Sequence, residues 1–460
     1  MDCTKQDFGD DFKWGVSTAA YQVEGAYNID GKGSSIWDVF ANTKGKIYGG
    51  QTANVSCDFY HHYAQDIALM SALNIPDFRF SLSWSRIMPH GTGEVNYKGI
   101  EFYNKVIDFC LDLGIEPWIT LYHWDLPNKL EDKGGWTNRS IVDWFSDYVE
   151  VCIKAFGDRV KHWMVLNEPM VYTGAGYFLG IHAPGKKGLN NFLSAAHHAA
   201  LCQAQGGRIV KAMLPQSKVG TTISCSYIQA YRPTEADHLA ATRVDALVNR
   251  LFIEPLVGEG YPVKDFRLLQ RLEQFVKDGD ENKVQFDMDF IGLQNYTREL
   301  VSFSYYTPFI WAKIISAAKR KVQCTAMNWE VYPECIYEML KKFSAYNIKE
   351  IIVTENGAAF PDEVIEGEVH DVQRKNYLQQ HINQVLRAKQ DGVNVKGYFV
   401  WSFTDNFEWA EGYKPRFGLV HVDFQSQKRI VKASGYWYSS FIKNNVAALK
   451  VEARKSKRFV

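Results

Sequence analysis

Two carboxylates stand where short apolar runs break into polar residues. The runs are His162-Trp-Met-Val-Leu-Asn-Glu-Pro169 and Glu350-Ile-Ile-Val-Thr-Glu-Asn-Gly357, and the carboxylates are Glu168 and Glu355. Buried parallel strands look like this when they deliver a side chain to the mouth of a barrel. Pro169 steers Glu168 towards extended backbone and Gly357 permits a sharp exit, so both glutamates are expected at strand ends rather than inside helices. Two carboxyls presented in this way can act as an acid/base and a nucleophile.

A pair so far apart in sequence meets only if the intervening elements fold back regularly. Strand-like runs recur at 12–18, 78–84, 115–123, 162–168, 219–224, 290–296, 350–356 and 397–403. Helical spacing fills the segments 56–73, 97–113, 141–156, 189–213, 236–251, 333–345, 369–389 and 432–445. Strict strand–helix alternation implies a parallel sheet with helices outside, and eight units are the number that closes a barrel. The expected fold is α/β, a single (β/α)8 TIM barrel, and no linker or low-complexity tract interrupts residues 1–460, so one domain is expected. The long connections 19–55, 170–187 and 297–332 are expected as loops on the catalytic face. Gly174-Ala-Gly176 lies in the second of these and opens no tight turn of the dinucleotide-binding kind.

Composition narrows the ligand. Fifty-two basic and 52 acidic residues cancel with no long run of either sign, which disfavours nucleic acid and anionic membrane surfaces and favours a small neutral molecule. An aromatic content of 14% leaves Trp and Tyr to spare for flat binding faces after the core is filled. Residues 1–11 carry no basic flank or apolar core of a leader, and no stretch approaches the length of a membrane span, so a cytoplasmic location is the expectation. The eight cysteines have no close pairs that would signal zinc or a disulfide framework, and buried thiols are expected. Asn54, Asn138 and Asn295 begin N-x-S/T triplets attributed to chance.

Polar residues gather at nearly every predicted strand end: Gln22 and Glu24, Arg79, His123 and Asp125, Asn167 and Glu168, Asn295 and Tyr296, Glu355, and Trp401. Arg79, between Phe78 and Phe80, needs a carboxylate partner if buried, and Glu355 is the natural one.

Six segments in order resemble glycoside hydrolase family 1, the β-glucosidase family. They are Phe12-Lys-Trp-Gly-Val-Ser-Thr-Ala-Ala-Tyr-Gln-Val-Glu-Gly25, Arg79-Phe-Ser-Leu-Ser-Trp84, Thr120-Leu-Tyr-His-Trp-Asp-Leu-Pro127, Asn167-Glu-Pro169, Thr354-Glu-Asn-Gly357 and Trp401-Ser-Phe-Thr-Asp-Asn-Phe-Glu-Trp409. The resemblance runs from Phe12 to about the last helix. It implies a retaining β-glucosidase acting on terminal nonreducing β-D-glucosyl residues, with Glu355 as nucleophile and Glu168 as acid/base. It needs no cofactor or metal, and its carboxyls are expected about 5 to 5.5 Å apart. Arg79 and Tyr296 would support Glu355. Asn167 would bind the 2-hydroxyl. Gln22, His123, Glu408 and Trp409 resemble the set that binds the other sugar hydroxyls; Asn295 and Tyr296, from one strand end, are also expected to bind substrate. Trp401 resembles the stacking floor, and Trp329, in Asn328-Trp-Glu-Val-Tyr-Pro333, the aromatic on the leaving-group side.

Departures from the family pattern are local. Asn74 stands where Gly is usual, and Asn tolerates left-handed backbone better than most residues. Thr297 follows Tyr296 where a second aromatic is common, which puts leaving-group preference in question. Family members specific for 6-phospho sugars carry Ser and Lys after strand eight. Here the loop reads Asn406-Phe-Glu-Trp-Ala-Glu-Gly412, so a neutral hexose is expected and Lys414 is read as a solvated lysine. A non-catalytic sugar-binding barrel would lack a catalytic glutamate, and a thioglucosidase would carry Gln in place of Glu168. Metal hydrolysis and phosphoryl transfer lack ligand clusters and a phosphate loop.

Overall fold

The computed structural model describes residues 3–444. Eight strands form the barrel wall: β1 (Lys13–Ser17), β2 (Asp77–Ser81), β3 (Glu116–Tyr122), β4 (His162–Asn167), β5 (Lys218–Ala230), β6 (Phe290–Phe303) and, after a short strand β7 (Ala312–Ile314), β8 (Ile351–Asn356) and β9 (Val395–Trp401). Neighbours run β5-β4-β3-β2-β1-β9-β8-β6, and β6 pairs back onto β5, so the sheet closes. All eight wall pairings are parallel. The helices α1 (Phe59–Ala72), α2 (Tyr97–Asp112), α3 (Ile141–Phe156), α4 (Leu189–Met213), α5 (Glu235–Asp245), α6 (Glu334–Phe343), α7 (Val372–Gln390) and α8 (Ala433–Ile442) follow the expected segments; Asn445, the predicted end of the last, lies outside the described residues.

The strand interiors are filled in layers. Trp118, Met164, Phe290, Ile352 and Phe399 make a separate apolar cluster contributed by β3, β4, β6, β8 and β9. Two residues further along three of these strands come Thr120, Thr354 and Trp401, and β2 adds Arg79 two residues after Asp77. Because strand side chains repeat every two residues, the polar layer rests directly on the apolar plug.

Two expectations change. The segment 297–332 is not all loop: β5 and β6 run on to Ala230 and Phe303, and β7 pairs antiparallel to β6. The reason is a small second core, in which Val301 and Ala312 bury against Ala240, Ala241 and Val244 of α5 and support strand pairing beyond the barrel rim. Glu168 is not extended. It lies one residue past β4 with φ 46° and ψ 63°, because the chain turns there directly into the short helix Pro169–Thr173, whose first position a proline suits. Asn74 does adopt left-handed backbone, with φ 58°.

Three wall strands each carry one extra residue towards the rim. Between Met164 and Asn167 on β4, against Gly220 and Thr222 on β5, there is one extra residue. The same occurs on β8 between Val353 and Asn356 against Tyr398 and Val400, and on β6 between Asn295 and Arg298 against Cys225 and Tyr227. Bulges of this kind re-aim side chains at barrel rims.

Candidate active site

The bulge in β8 turns Glu355 inward beside Thr354. Its Oε1 accepts from Arg79 Nη1 at 2.5 Å and Gln294 Nε2 at 2.7 Å, and its Oε2 from the Tyr296 hydroxyl at 2.6 Å. Arg79 is fully buried and reaches Asn167 Oδ1 at 2.6 Å and Thr120 Oγ1 at 3.1 Å. Asn167 Oδ1 also accepts from Thr222 Oγ1 and Gln294 Nε2, each at 2.8 Å. With that oxygen occupied by donors, the Asn167 amide nitrogen is left to meet His123 Nε2 at 3.0 Å. One connected network thus fixes Glu355, Asn167 and His123 before any ligand arrives.

Glu168, buried beside this network, has no cation bonded to it among the described residues. Burial pushes its carboxyl well above the usual range and the charge of Glu355 adds to the rise. Burial also raises Glu355, but Arg79 and the Tyr296 hydroxyl draw it back. Glu355 therefore gives up its proton first, and Glu168 holds its own.

A cavity of about 310 Å³ opens over the pair. Its walls include His123, Glu168, Tyr296, Trp329, Glu355, Trp401, Glu408 and Trp409, so eight of the predicted residues meet in one place. Gln22, from the short helix Ala20–Val23, stands behind Glu408, with Nε2 3.4 Å from Glu408 Oε2 and 3.0 Å from the Phe407 carbonyl. Burial pushes Glu408 up to about 8, with Glu355 contributing. Burial, followed by the charge of Arg79, holds His123 well below the usual histidine range, so the ring is neutral. Gln22 Oε1 and His123 Nδ1 are buried with no partner among the described residues. Buried polar atoms are nearly always bonded, so unfilled ones beside a cavity mark where a polar ligand completes the set.

The loop after β9 is held from outside. Asp405 accepts from Lys432 Nζ at 2.6 Å, Arg416 Nη1 at 2.8 Å and the Gly418 amide at 2.9 Å. His421 and Asp362 join it in the one acidic cluster of metal-ligating type among the described residues, and Lys432 also bonds Asp362. Cations already fill this cluster, which anchors the loop rather than holding an ion. Trp409 lies in that loop with its ring 5.8 Å from Tyr21 and 7° off parallel, and 4.5 Å from Trp124. Trp401 faces His123 at 6.0 Å, and Trp329 lies 5.2 Å from Tyr296.

Asn295 is the exception. It is buried with its amide on the Cys225 and Thr297 carbonyls and its Oδ1 accepting from the Cys335 thiol, and it lines no part of the cavity. Alternation along β6 sends Gln294 and Tyr296 inward and Asn295 outward. Gln294, which sequence reasoning missed, takes the place beside Glu355; strict period two counted back from Tyr296 would have found it. Glu24 also faces away, paired with Arg86 Nε at 2.9 Å and the Tyr103 hydroxyl at 2.5 Å. Gly174 and Gly176 lie in a helical turn where a Cβ on Gly176 would come 2.3 Å from the Ala183 carbonyl, a packing role.

The sequence profile of glycosyl hydrolase family 1 matches residues 4–447. The chain belongs to glycosyl hydrolase family 1. Among family 1 relatives, it is 46% identical over 443 residues to beta-glucosidase A of Thermotoga maritima, covering 95% of this chain and 98% of that protein. Beta-glucosidase 42 of Arabidopsis thaliana is 38% identical, with 96% and 95% covered. The solved Thermotoga maritima family 1 β-glucosidase superposes with a TM-score of 0.91 at 44% identity, covering 95% of this chain and 98% of that one. A structure of the Thermotoga maritima β-glucosidase in complex with glucoimidazole gives the same TM-score and identity, with 95% and 99% covered.

Proposed function

We propose that this family 1 chain is a retaining β-glucosidase in which Glu355 is the nucleophile and Glu168 the acid/base. The observation that carries the assignment is the asymmetry of the two carboxyls: Arg79, Gln294 and Tyr296 all serve Glu355, and no cation among the described residues bonds Glu168. In the first step a Glu355 oxygen attacks the anomeric carbon while Glu168 gives its proton to the glycosidic oxygen, and the leaving group departs as an alcohol. The bond to carbon removes the charge on Glu355, and with it part of what raised Glu168. Glu168, now ionised, takes a proton from water, whose oxygen attacks the anomeric carbon and frees Glu355.

Recognition follows from the same frame. Asn167 is assigned to the 2-hydroxyl, where its bond tightens as positive charge develops on the ring. Gln22, His123, Glu408 and Trp409 are assigned to the remaining hydroxyls, Trp401 to the floor beneath the ring, and Trp329 to the leaving-group side. The unfilled Gln22 Oε1 and His123 Nδ1 support a hydroxyl-rich ligand. A cytoplasmic location belongs to the same proposal, supported by Cys57, Cys110, Cys152, Cys202, Cys225 and Cys335 being buried and unbridged.

The test is trapping. Incubation with a 2-fluoro glucoside carrying a good leaving group should label Glu355 alone, and proton NMR of a cleaved aryl β-glucoside should show β-glucose as the first product. A label elsewhere, or α-glucose first, would refute the assignment.

A further inference from the structure

The bulge in β6 has a second effect. With one extra residue between Asn295 and Arg298, the inward alternation of Gln294 and Tyr296 restarts at Thr297, and Thr297 and Glu299 both line the cavity. Arg298 faces away, with its guanidinium on Glu330 at 2.8 and 2.9 Å and over the Tyr332 ring. Thr297 Oγ1 donates to the Glu330 carbonyl at 3.0 Å, tying the strand to the loop that carries Trp329. Glu299 stands two residues beyond Thr297, about 6.6 Å further from Glu355 along the strand. Its position is therefore on the outer, leaving-group side of the cavity, which Trp329 also lines.

Glu299 is half-buried, and its carboxyl has no hydrogen bond or ion pair among the described residues. The cations nearby are committed elsewhere: Arg298 and Arg320 both bond Glu330, the latter at 2.8 Å. Arg320 Nε is itself buried without a partner. Burial raises the Glu299 carboxyl to about 7, with Arg320 opposing the rise and Glu330 adding to it. A carboxylate held partly out of water with nothing to accept from is costly unless a ligand supplies the donors.

We infer that Glu299 is a specificity residue for the leaving group, its carboxyl accepting hydrogen bonds from hydroxyls of a second sugar stacked near Trp329. A carboxylate offers two oxygens to neighbouring hydroxyls, whereas an alkyl leaving group gives it nothing and leaves it unpaired. The inference rests on reading the cavity as a glucoside site, and makes the enzyme prefer oligosaccharides to alkyl glucosides.

The experiment compares kcat/KM for cellobiose and hexyl β-glucoside in the wild type, Glu299→Leu and Glu299→Gln, normalised to active sites counted by 2-fluoro glucoside trapping. Because a hydrogen bond to a charged group contributes on the order of tenfold or more, the cellobiose-to-hexyl ratio should fall at least about fivefold in Glu299→Leu, mainly through KM for cellobiose. If the Leu variant yields no trappable sites, the isosteric Gln variant decides, with a fall of at least about threefold expected. A smaller change in the deciding variant overturns the role of Glu299. Failure of the wild type to cleave either substrate would instead overturn the proposed function.

Discussion

Glu168 and Glu355 have the same side chain and differ only in what surrounds them. Arg79, Gln294 and Tyr296 hold one as an anion; burial and that anion keep a proton on the other. Glu355 must be ionised and Glu168 protonated, so kcat/KM should fall at acid pH as Glu355 takes up a proton. It should fall again at alkaline pH, as pH rises through the raised value of Glu168. Glu168→Ala should lower kcat/KM on glucosides with poor leaving groups by about 10²–10⁴ and on activated aryl glucosides far less. Azide should restore turnover of the activated ones as the β-glucosyl azide. With activated substrates the alkaline limb should disappear; an unchanged limb would assign it to Glu408, which burial and Glu355 push up to about 8. At this scale much was legible. The Arg79–Glu355 pair followed from a charge between two phenylalanines. Asn295 did not hold, because a motif names a neighbourhood, and only strand alternation says that Gln294 and Tyr296 face in while Asn295 faces out.

Elements were legible by count and order, because a buried parallel strand is a short apolar run whatever its neighbours. Their irregularities were not. Bulges on β4, β6 and β8 leave no mark in an apolar pattern, yet those on β6 and β8 bring Glu299 and Glu355 to the cavity and that on β4 precedes Asn167 in the network beneath it. The extensions of β5 and β6 escaped because residues past the rim alternate with polar ones and depend on α5 for burial. Gly357 was read as permitting a sharp exit, but its backbone lies outside the left-handed region; what it provides is room. A Cβ there would stand 1.8 Å from the Trp401 carbonyl oxygen. Gly357→Ala must therefore push β8 away from β9 just where Trp401, the proposed floor of the sugar site, stands. Such overpacking should destabilise the protein by about 2–4 kcal/mol by chemical denaturation, and the displaced floor should lower kcat/KM at least ~10-fold. Wild-type stability and activity in this variant would mean that the β8–β9 contact is looser than the structure has it.

At the scale of the whole molecule the charges cancel, 52 against 52, but the cavity does not share the balance. Glu168, Glu299, Glu355, Glu408 and Glu411 line it, and no Lys or Arg among the described residues does. Arg79 lies beneath, committed to Glu355 and Asn167. Lys414, the cation closest in sequence to Glu408, is exposed and lies over the Tyr48 ring at 5.1 Å. A phosphate on the sugar would enter this acidic, partly desolvated space without a cation to meet it, and like charges brought together there cost several kcal/mol. A neutral hexose instead supplies hydroxyls that the unfilled Gln22 Oε1 and the Glu408 carboxyl can bind. The kcat/KM for an aryl β-glucoside should therefore exceed that for its 6-phosphate by at least ~100-fold, roughly 2.7 kcal/mol of discrimination. The ratio should widen between pH 6 and pH 9, because Glu408 loses its proton near 8 and turns from a hydrogen-bonding acid into a second repelling charge. Glu408→Gln, which keeps the shape and removes that charge, should flatten the pH dependence of the ratio. Comparable rates on the two substrates, or a ratio that narrows as pH rises, would mean that Glu408 does not face the 6-position.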